Sequence, residues 1–431
     1  MIARYSSKSI EQIWSDRNKY DIWLKIELLV CEALFLHGII PEDDYNKIRD
    51  VKTPNIRDIE CVETVTRHDV AAFVQVISSS LGNSGRWIHY GLTASDIVDT
   101  GNAVRFQQAN RVIKNNANNL LHTLKEMACQ YKHTVCIGRT HGMHAEITTF
   151  GMKLAVCFDD IRRSLARFTE SSKGIEAGKI SGAVGTFASI PITVQDYVCT
   201  KLEIESSRIT TQIVQRGIYA DYFSSLALIA TSIEKCATNL RQLQSTEIDE
   251  IRELFSKSQQ GSSSMPHKRN PIRLENLCGC ARVMRGYMMT AYENVCSWQE
   301  SDISHSSVER IISPDATVLL DYMITSFVSI LDNLVVREDA MQRNTEKSYG
   351  VVFSQAVALK LIENGLLRTT AFDLLQECSC EALANKKHLY EIAKSNSIIS
   401  TTLKDSELKQ CFDINNQLKH VGEVLDRLWD E

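Results

Sequence analysis

Apolar residues recur along this chain at steps of three and four positions. Ile113, Ala117, Leu120, Leu124, Met127 and Tyr131 form one series, and Tyr222, Leu226, Ile229, Ile233, Ala237, Leu240 and Leu243 a second. Leu320, Met323, Phe327, Ile330 and Leu334 form a third. That spacing places each series on one face of a helix. Only six prolines occur, and the stretches 55–190 and 315–431 contain none, so nothing there interrupts a long helix. Alternating strand patterns are weak throughout. The helical period lies close to 3.5, which predicts near-parallel packing at about 20° in a bundle. Stripes of this length exceed what one short neighbour covers, and they predict partner helices from other copies of the chain in a homo-oligomer. The expected fold class is all-α, in three regions. Residues 1–93 form a compact helical part closing on the turn His89-Tyr90-Gly91-Leu92-Thr93, residues 94–343 carry the long helices, and residues 344–431 form a smaller helical tail.

A length of 431 residues exceeds what one core usually serves, which agrees with several packed regions. The content of 44% hydrophobic and 23% charged residues is that of a globular protein. A formal charge of −5 argues against a nucleic-acid binder, whose contact face is basic. The thirteen cysteines include no C-x-x-C pair, and most stand in apolar helical stretches, as expected of a reduced, cytoplasmic protein. The pairs Cys278/Cys280 and Cys378/Cys380 have no second pair to complete a zinc site and read as packing residues. No apolar signal stretch follows Met1, and no run approaches the ~18 apolar residues of a membrane span.

Four segments depart from the bundle pattern. Residues 259–271, QQGSSSMPHKRNP, cannot be helix interior, and Pro271 can open the helix that follows. Between them Gly261 to Asn270 read as a loop carrying an anion-binding cluster, His267-Lys268-Arg269-Asn270. The segment 138–151, GRTHGMHAEITTFG, holds His141 and His144 at a spacing that could put both on one helical face as metal ligands. No third ligand has a matching spacing, so acid/base or substrate-binding work ranks ahead of metal. The third segment joins Thr66-Arg67-His68-Asp69 to the turn at His89, and two histidines with an arginine before a glycine turn suit an anionic ligand. The fourth, 302–310, DISHSSVER, is rich in hydroxyls and ends in Arg310; alone it reads equally as a helix start.

In this order the segments resemble the fumarase/aspartase superfamily and, within it, the adenylosuccinate lyase family of the shorter bacterial type. Gly261-Ser262-x-x-Met265-x-x-Lys268-x-Asn270 matches the superfamily signature. With Arg4-Tyr5, TRHDV, HYGLT, GRTHGMHAE and SHSSVER, the resemblance covers nearly the whole chain. It implies a three-domain helical subunit, a homotetramer with a helical core, and active sites each shared by three subunits. It also implies elimination of fumarate from succinylated purine nucleotides, with no cofactor and no metal. Ser262 then matches the base, His141 the general acid, Glu275 the carboxylate that orients His141, and Lys268 and Asn270 the grip on the succinyl carboxylate. His68 and His89 match substrate contacts, as do Arg4, Tyr5, Arg67, Asp69, Thr93, Thr140, Gln212, Ser263, Met265, Ser306 and Arg310.

Three positions depart from the family pattern: Ser301 in place of a common arginine, Ala94 in place of serine, and Ile147 in place of proline. A missing guanidinium at 301 removes a contact worth roughly 1.5–3 kcal/mol. Competing readings are a superfamily lyase or cycloisomerase acting on argininosuccinate or carboxymuconate, and a non-catalytic, crystallin-like helical protein. Joint retention of Ser262, Lys268, Glu275 and His141 disfavours the last, because a structural role needs none of them.

Overall fold

The computed structural model describes residues 1–255, 261–262 and 264–430. The described residues are mostly helical and contain three two-stranded sheets. The helices that matter for the site begin with α1 (Asp16–Leu36), α2 (Ile56–Thr66), α3 (Asp69–Ser80) and α4 (Ala94–Gln130). The strands β1 (Val135–Thr140) and β2 (Met143–Thr149) come next, then α5 (Phe150–Ile175), α6 (Gly217–Leu243), α7 (Ile272–Glu293) and α8 (Ser304–Leu331). Two compact units result. One comprises Met1–Leu120, Ile161–Glu234 and Leu277–Phe327, and the other Leu121–Asp160, Lys235–Asn276 and Val328–Glu431, so the division falls inside each of the helices α4 to α8.

The first unit packs α1 and α3 around aromatic side chains. Tyr20 stacks on Phe73 with centroids 5.7 Å apart, and Trp23 meets the same ring edge-on at 5.6 Å. Phe73 has no exposed surface, so Phe73→Ala should cost about 3–5 kcal/mol. Gly101 on α4 is needed beside this cluster, because a Cβ there would lie 2.9 Å from the Trp23 ring.

The second unit contains the β1–β2 hairpin, on which Ile137 pairs with Ile147 and packs with Val352 and Phe353. Its C-terminal helices bury Val357, Leu361, Leu375, Leu389 and Ile399.

Two sequence expectations are revised. The hairpin was hidden by the helical patterning around it. His141 and Gly142 occupy a two-residue turn with φ of +54° and +78°, the left-handed backbone that short hairpins require. The long stripes, in turn, are covered by the chain's own helices: all of Tyr222, Leu226, Ile229, Ile233, Ala237, Leu240 and Leu243 are buried. Uncovered stripes therefore do not call for partner subunits. Apolar side chains do remain exposed on the outer faces of central helices in the first unit, among them Leu228, Val283, Met289, Tyr292 and Ile311.

Helix α8 is long and apolar enough to cross a membrane by length and composition, but 67% of its most apolar window is buried inside the protein. A core helix meets the same criteria.

Candidate active site

The candidate residues fall into two groups, one in each unit. In the first unit, α2 ends at Arg67, whose φ of +54° turns the chain. The next residue, His68, caps α3 by accepting from the Ala71 NH through Nδ1 at 3.3 Å. Asp69 then opens α3 and receives Arg310 Nη2 at 2.7 Å from α8. Burial pushes the Asp69 carboxyl up, but the Arg310 guanidinium and the Val70 NH outweigh it and hold the group below the usual carboxylate range. Arg310 also reaches Ser306 one turn back, Nε to Oγ at 3.4 Å. His68, Asp69, Ser306 and Arg310 thus line one cavity of about 330 Å³, although the two motifs that supply them are far apart in sequence.

His89 sits in a left-handed turn with φ of +61°. Glu27 on α1, fully buried, accepts from the His89 NH at 2.9 Å and faces Nδ1 at 2.7 Å. The Nδ1 proton is thereby directed to the carboxylate, and Nε2 is the nitrogen that can meet a ligand. Thr93 precedes α4 and donates its NH to Asp96 Oδ2 at 2.8 Å. Asp96, without exposed surface, also binds the Lys179 ammonium and the Ser181 NH, so it ties Thr93 to another segment of the unit. Gln212 donates its NH to the Glu300 carbonyl at 3.3 Å. Arg4 and Tyr5 lie in a short 3₁₀ turn, with Tyr5 against Tyr322 at 5.0 Å. Ala94 lines the cavity, and Ser301 is half-buried with its hydroxyl donating to the Asp302 carbonyl at 3.0 Å.

In the second unit Thr140 and His141 stand exposed at the hairpin tip. The helical face imagined for His141 and His144 does not exist, since His144 lies on β2 opposite Arg139. Burial, then the Arg139 charge, lowers the pKa of His144. Arg139 itself anchors β1 through a forked contact to Glu250 at 2.6 and 3.2 Å, and Asn344 donates to the same carboxylate at 2.9 Å. Ile147, where the family pattern has proline, is an apolar sheet position facing Ile137.

Ser262 Oγ accepts from the NH groups of Met265 at 3.1 Å and Ser264 at 3.3 Å. Two amides aimed at one hydroxyl oxygen favour its anionic form. Asn270 donates to the Gly261 carbonyl at 3.0 Å and closes the loop on itself. Gly261 is required there, because a Cβ would lie 2.1 Å from the Lys268 carbonyl oxygen. Lys268 and Met265 are exposed, and Ser263 lies outside the described residues. Glu253, buried, caps the following helix by accepting from Leu274 and Arg273 at 2.8 and 3.3 Å. Glu275, in the first turn of α7, has Arg241 at 3.9 Å and is not hydrogen-bonded to His141 of its own chain.

Residues 4–286 match the family described as Lyase, and residues 350–428 match Adenylosuccinate lyase C-terminus. Along 428 residues, 99% of this chain and 99% of the relative, the chain is 47% identical to an adenylosuccinate lyase of Bacillus subtilis (strain 168). The chain belongs to the adenylosuccinate lyase family, in the fumarase/aspartase superfamily. A second adenylosuccinate lyase, from Streptococcus mutans serotype c, is 46% identical over the same span. Among solved structures, a fumarate lyase from Mesorhizobium sp. BNC1 shares the fold with a TM-score of 0.89 at 23% identity, covering 99% of each chain. A 3-carboxy-cis,cis-muconate lactonizing enzyme from Pseudomonas putida follows at 0.88 and 25%, over 99% of this chain and 97% of that one. The fold is thus common to several superfamily chemistries, and only the sequence likeness to the adenylosuccinate lyase family narrows the choice.

Sequence reasoning missed Glu27, Asp96, Arg216 and Glu253. Each is a charged residue that reads as a polar helix or loop position until its distant partner is known.

Proposed function

We propose that this protein eliminates fumarate from adenylosuccinate to give AMP, and likewise from the succinylated aminoimidazole carboxamide ribotide. The observation that carries the reading is its likeness, along nearly the whole chain, to two adenylosuccinate lyases. The match of residues 350–428 to the C-terminus of that family favours this substrate over argininosuccinate or carboxymuconate.

Ser262, as an alkoxide, takes the proton from the carbon beside the succinyl carboxylate. The electron pair of that C–H bond becomes the double bond of fumarate as the carbon–nitrogen bond breaks, and His141 gives its proton to the departing nitrogen. The Ser264 and Met265 amides and the Lys268 charge favour the alkoxide, while Lys268 and Asn270 grip the carboxylate. Glu275 orients His141. Because these two are not hydrogen-bonded within one chain, the reading includes a homotetramer whose sites combine residues of different subunits, with an N-terminal region 1–93, a central region 94–343 and a C-terminal region 344–431. His68, His89, Thr93, Thr140, Gln212, Ser263, Met265, Arg4, Tyr5, Arg67, Asp69, Ser306 and Arg310 contact the substrate. The enzyme works in the cytoplasm.

Offering adenylosuccinate, argininosuccinate and carboxymuconate to the purified protein in parallel tests the substrate. Turnover of adenylosuccinate alone is expected, and turnover of either other compound without it overturns the reading.

A further inference from the structure

Arg216, the residue before α6, lies between two carboxylates in the first unit. Its Nη1 and Nη2 donate to Asp99 on α4 at 2.7 and 2.9 Å, and its Nε and Nη2 to Glu309 on α8 at 2.8 and 3.0 Å. All three side chains are almost fully buried. Asp99 Oδ2 also accepts the Val214 NH at 2.9 Å, so the triad fixes the short segment 212–216 as well as two helices.

Each held element carries a substrate-facing residue of the proposed site. Gln212 stands two residues before Val214, Thr93 immediately precedes α4, and Ser306 and Arg310 lie within one helical turn of Glu309. All three triad members also line the cavity that His68, Asp69, Ser306 and Arg310 share.

One guanidinium facing two carboxylates in a dry place is a poor stabilising device, because apolar side chains of similar volume do as well. Two guanidinium forks do fix distance and direction. The burial that raises the Glu309 carboxyl to about 7 agrees with a cluster near the limit of the charge its surroundings accept.

We infer that Asp99, Arg216 and Glu309 are positioning residues, which set the substrate-binding geometry of Ser306, Arg310, Gln212 and Thr93. This rests on the adenylosuccinate lyase reading. The triad holds residues proposed to bind the substrate and none of those proposed to transfer a proton, so its loss weakens binding more than chemistry.

The test measures KM, kcat and melting temperature for Arg216→Lys, which keeps the charge without the fork, and for Glu309→Gln and Asp99→Asn. A double-mutant cycle of Glu309→Gln with Ser306→Ala completes it. Expected are a KM for adenylosuccinate raised on the order of tenfold, kcat within about threefold, and KM increments of Glu309→Gln and Ser306→Ala that do not add. A lowered melting temperature with unchanged KM in the folded variants, or increments that add fully, overturns the inference. If Arg216→Lys does not fold, the two amide variants decide. Wild-type turnover of adenylosuccinate tests the underlying reading separately, since the triad is judged on ratios to wild type.

Discussion

Glu27 holds His89 by two contacts at once, one to the backbone NH and one to the ring Nδ1. A non-glycine residue in left-handed backbone costs of order 1 kcal/mol, and this pair of contacts offsets it. It also decides which ring nitrogen faces a ligand. Glu27→Gln should preserve the volume while weakening both contacts and releasing the tautomer. We expect kcat/KM to fall by roughly 10–100-fold, and steady-state kinetics beside a thermal melt will separate this from unfolding. Unchanged kinetics would place His89 outside the site.

Gly261→Ala should inactivate the protein without unfolding it. The new Cβ meets the Lys268 carbonyl oxygen, so the limbs of the loop must part and Ser262 loses the amides aimed at it. A misplacement on the order of 1 Å costs about 10²-fold in rate. Little melting-temperature change is expected, because most of this loop is exposed. Activity within a few fold of wild type would show that this loop geometry is not the working one.

Burial of Glu309 makes the stability of the protein depend on pH. Its carboxyl is raised from 4.5 to about 7 by burial, only partly offset by Arg216. Between those values the folded protein holds a proton that the unfolded chain has lost. Stability therefore declines as pH rises through this window, at up to about 1.4 kcal/mol per pH unit, and the cost is complete above the folded value. Glu309→Gln removes the titration, so its stability relative to wild type should rise by roughly 1–3 kcal/mol from pH 5 to pH 8. Urea unfolding at equal protein concentration measures this, and a difference independent of pH would contradict it.

His141→Ala and Ser262→Ala should each be nearly inactive, yet regain activity when denatured together and refolded as a mixture. The motive is that Glu275 has Arg241 nearby and no hydrogen bond to the His141 of its own chain. In the proposed tetramer, mixing the two variants leaves some sites with neither defect. Light scattering should give about four times 48.6 kDa for the assembly. Activity that stays at the level of the separate variants would mean that each site belongs to one chain.

The long helices are legible in the sequence because their stripes are regular, and the non-helical course of residues 261–262 and 264–271 is legible because glycine, serine and proline cannot continue a helix. The hairpin that carries His141 was not legible: its turn uses a histidine in left-handed backbone, and it is brief among long helices. Nor were the buried charges. Asp99, Glu309 and Glu27 sit in helices as polar positions, and only contact with residues between 62 and 117 positions away turns a solvated face into an anchor. The closeness of Asp69 and Arg310, 241 positions apart, is a property of the packed unit.

The most direct measurement follows adenylosuccinate by ultraviolet absorbance while AMP and fumarate are quantified with the purified protein and with Ser262→Ala. Loss of adenylosuccinate matched one to one by both products, without added cofactor, and near abolition of turnover in the folded Ser262→Ala protein are expected. A folded wild-type assembly that leaves adenylosuccinate intact, or a Ser262→Ala variant with undiminished turnover, would contradict it.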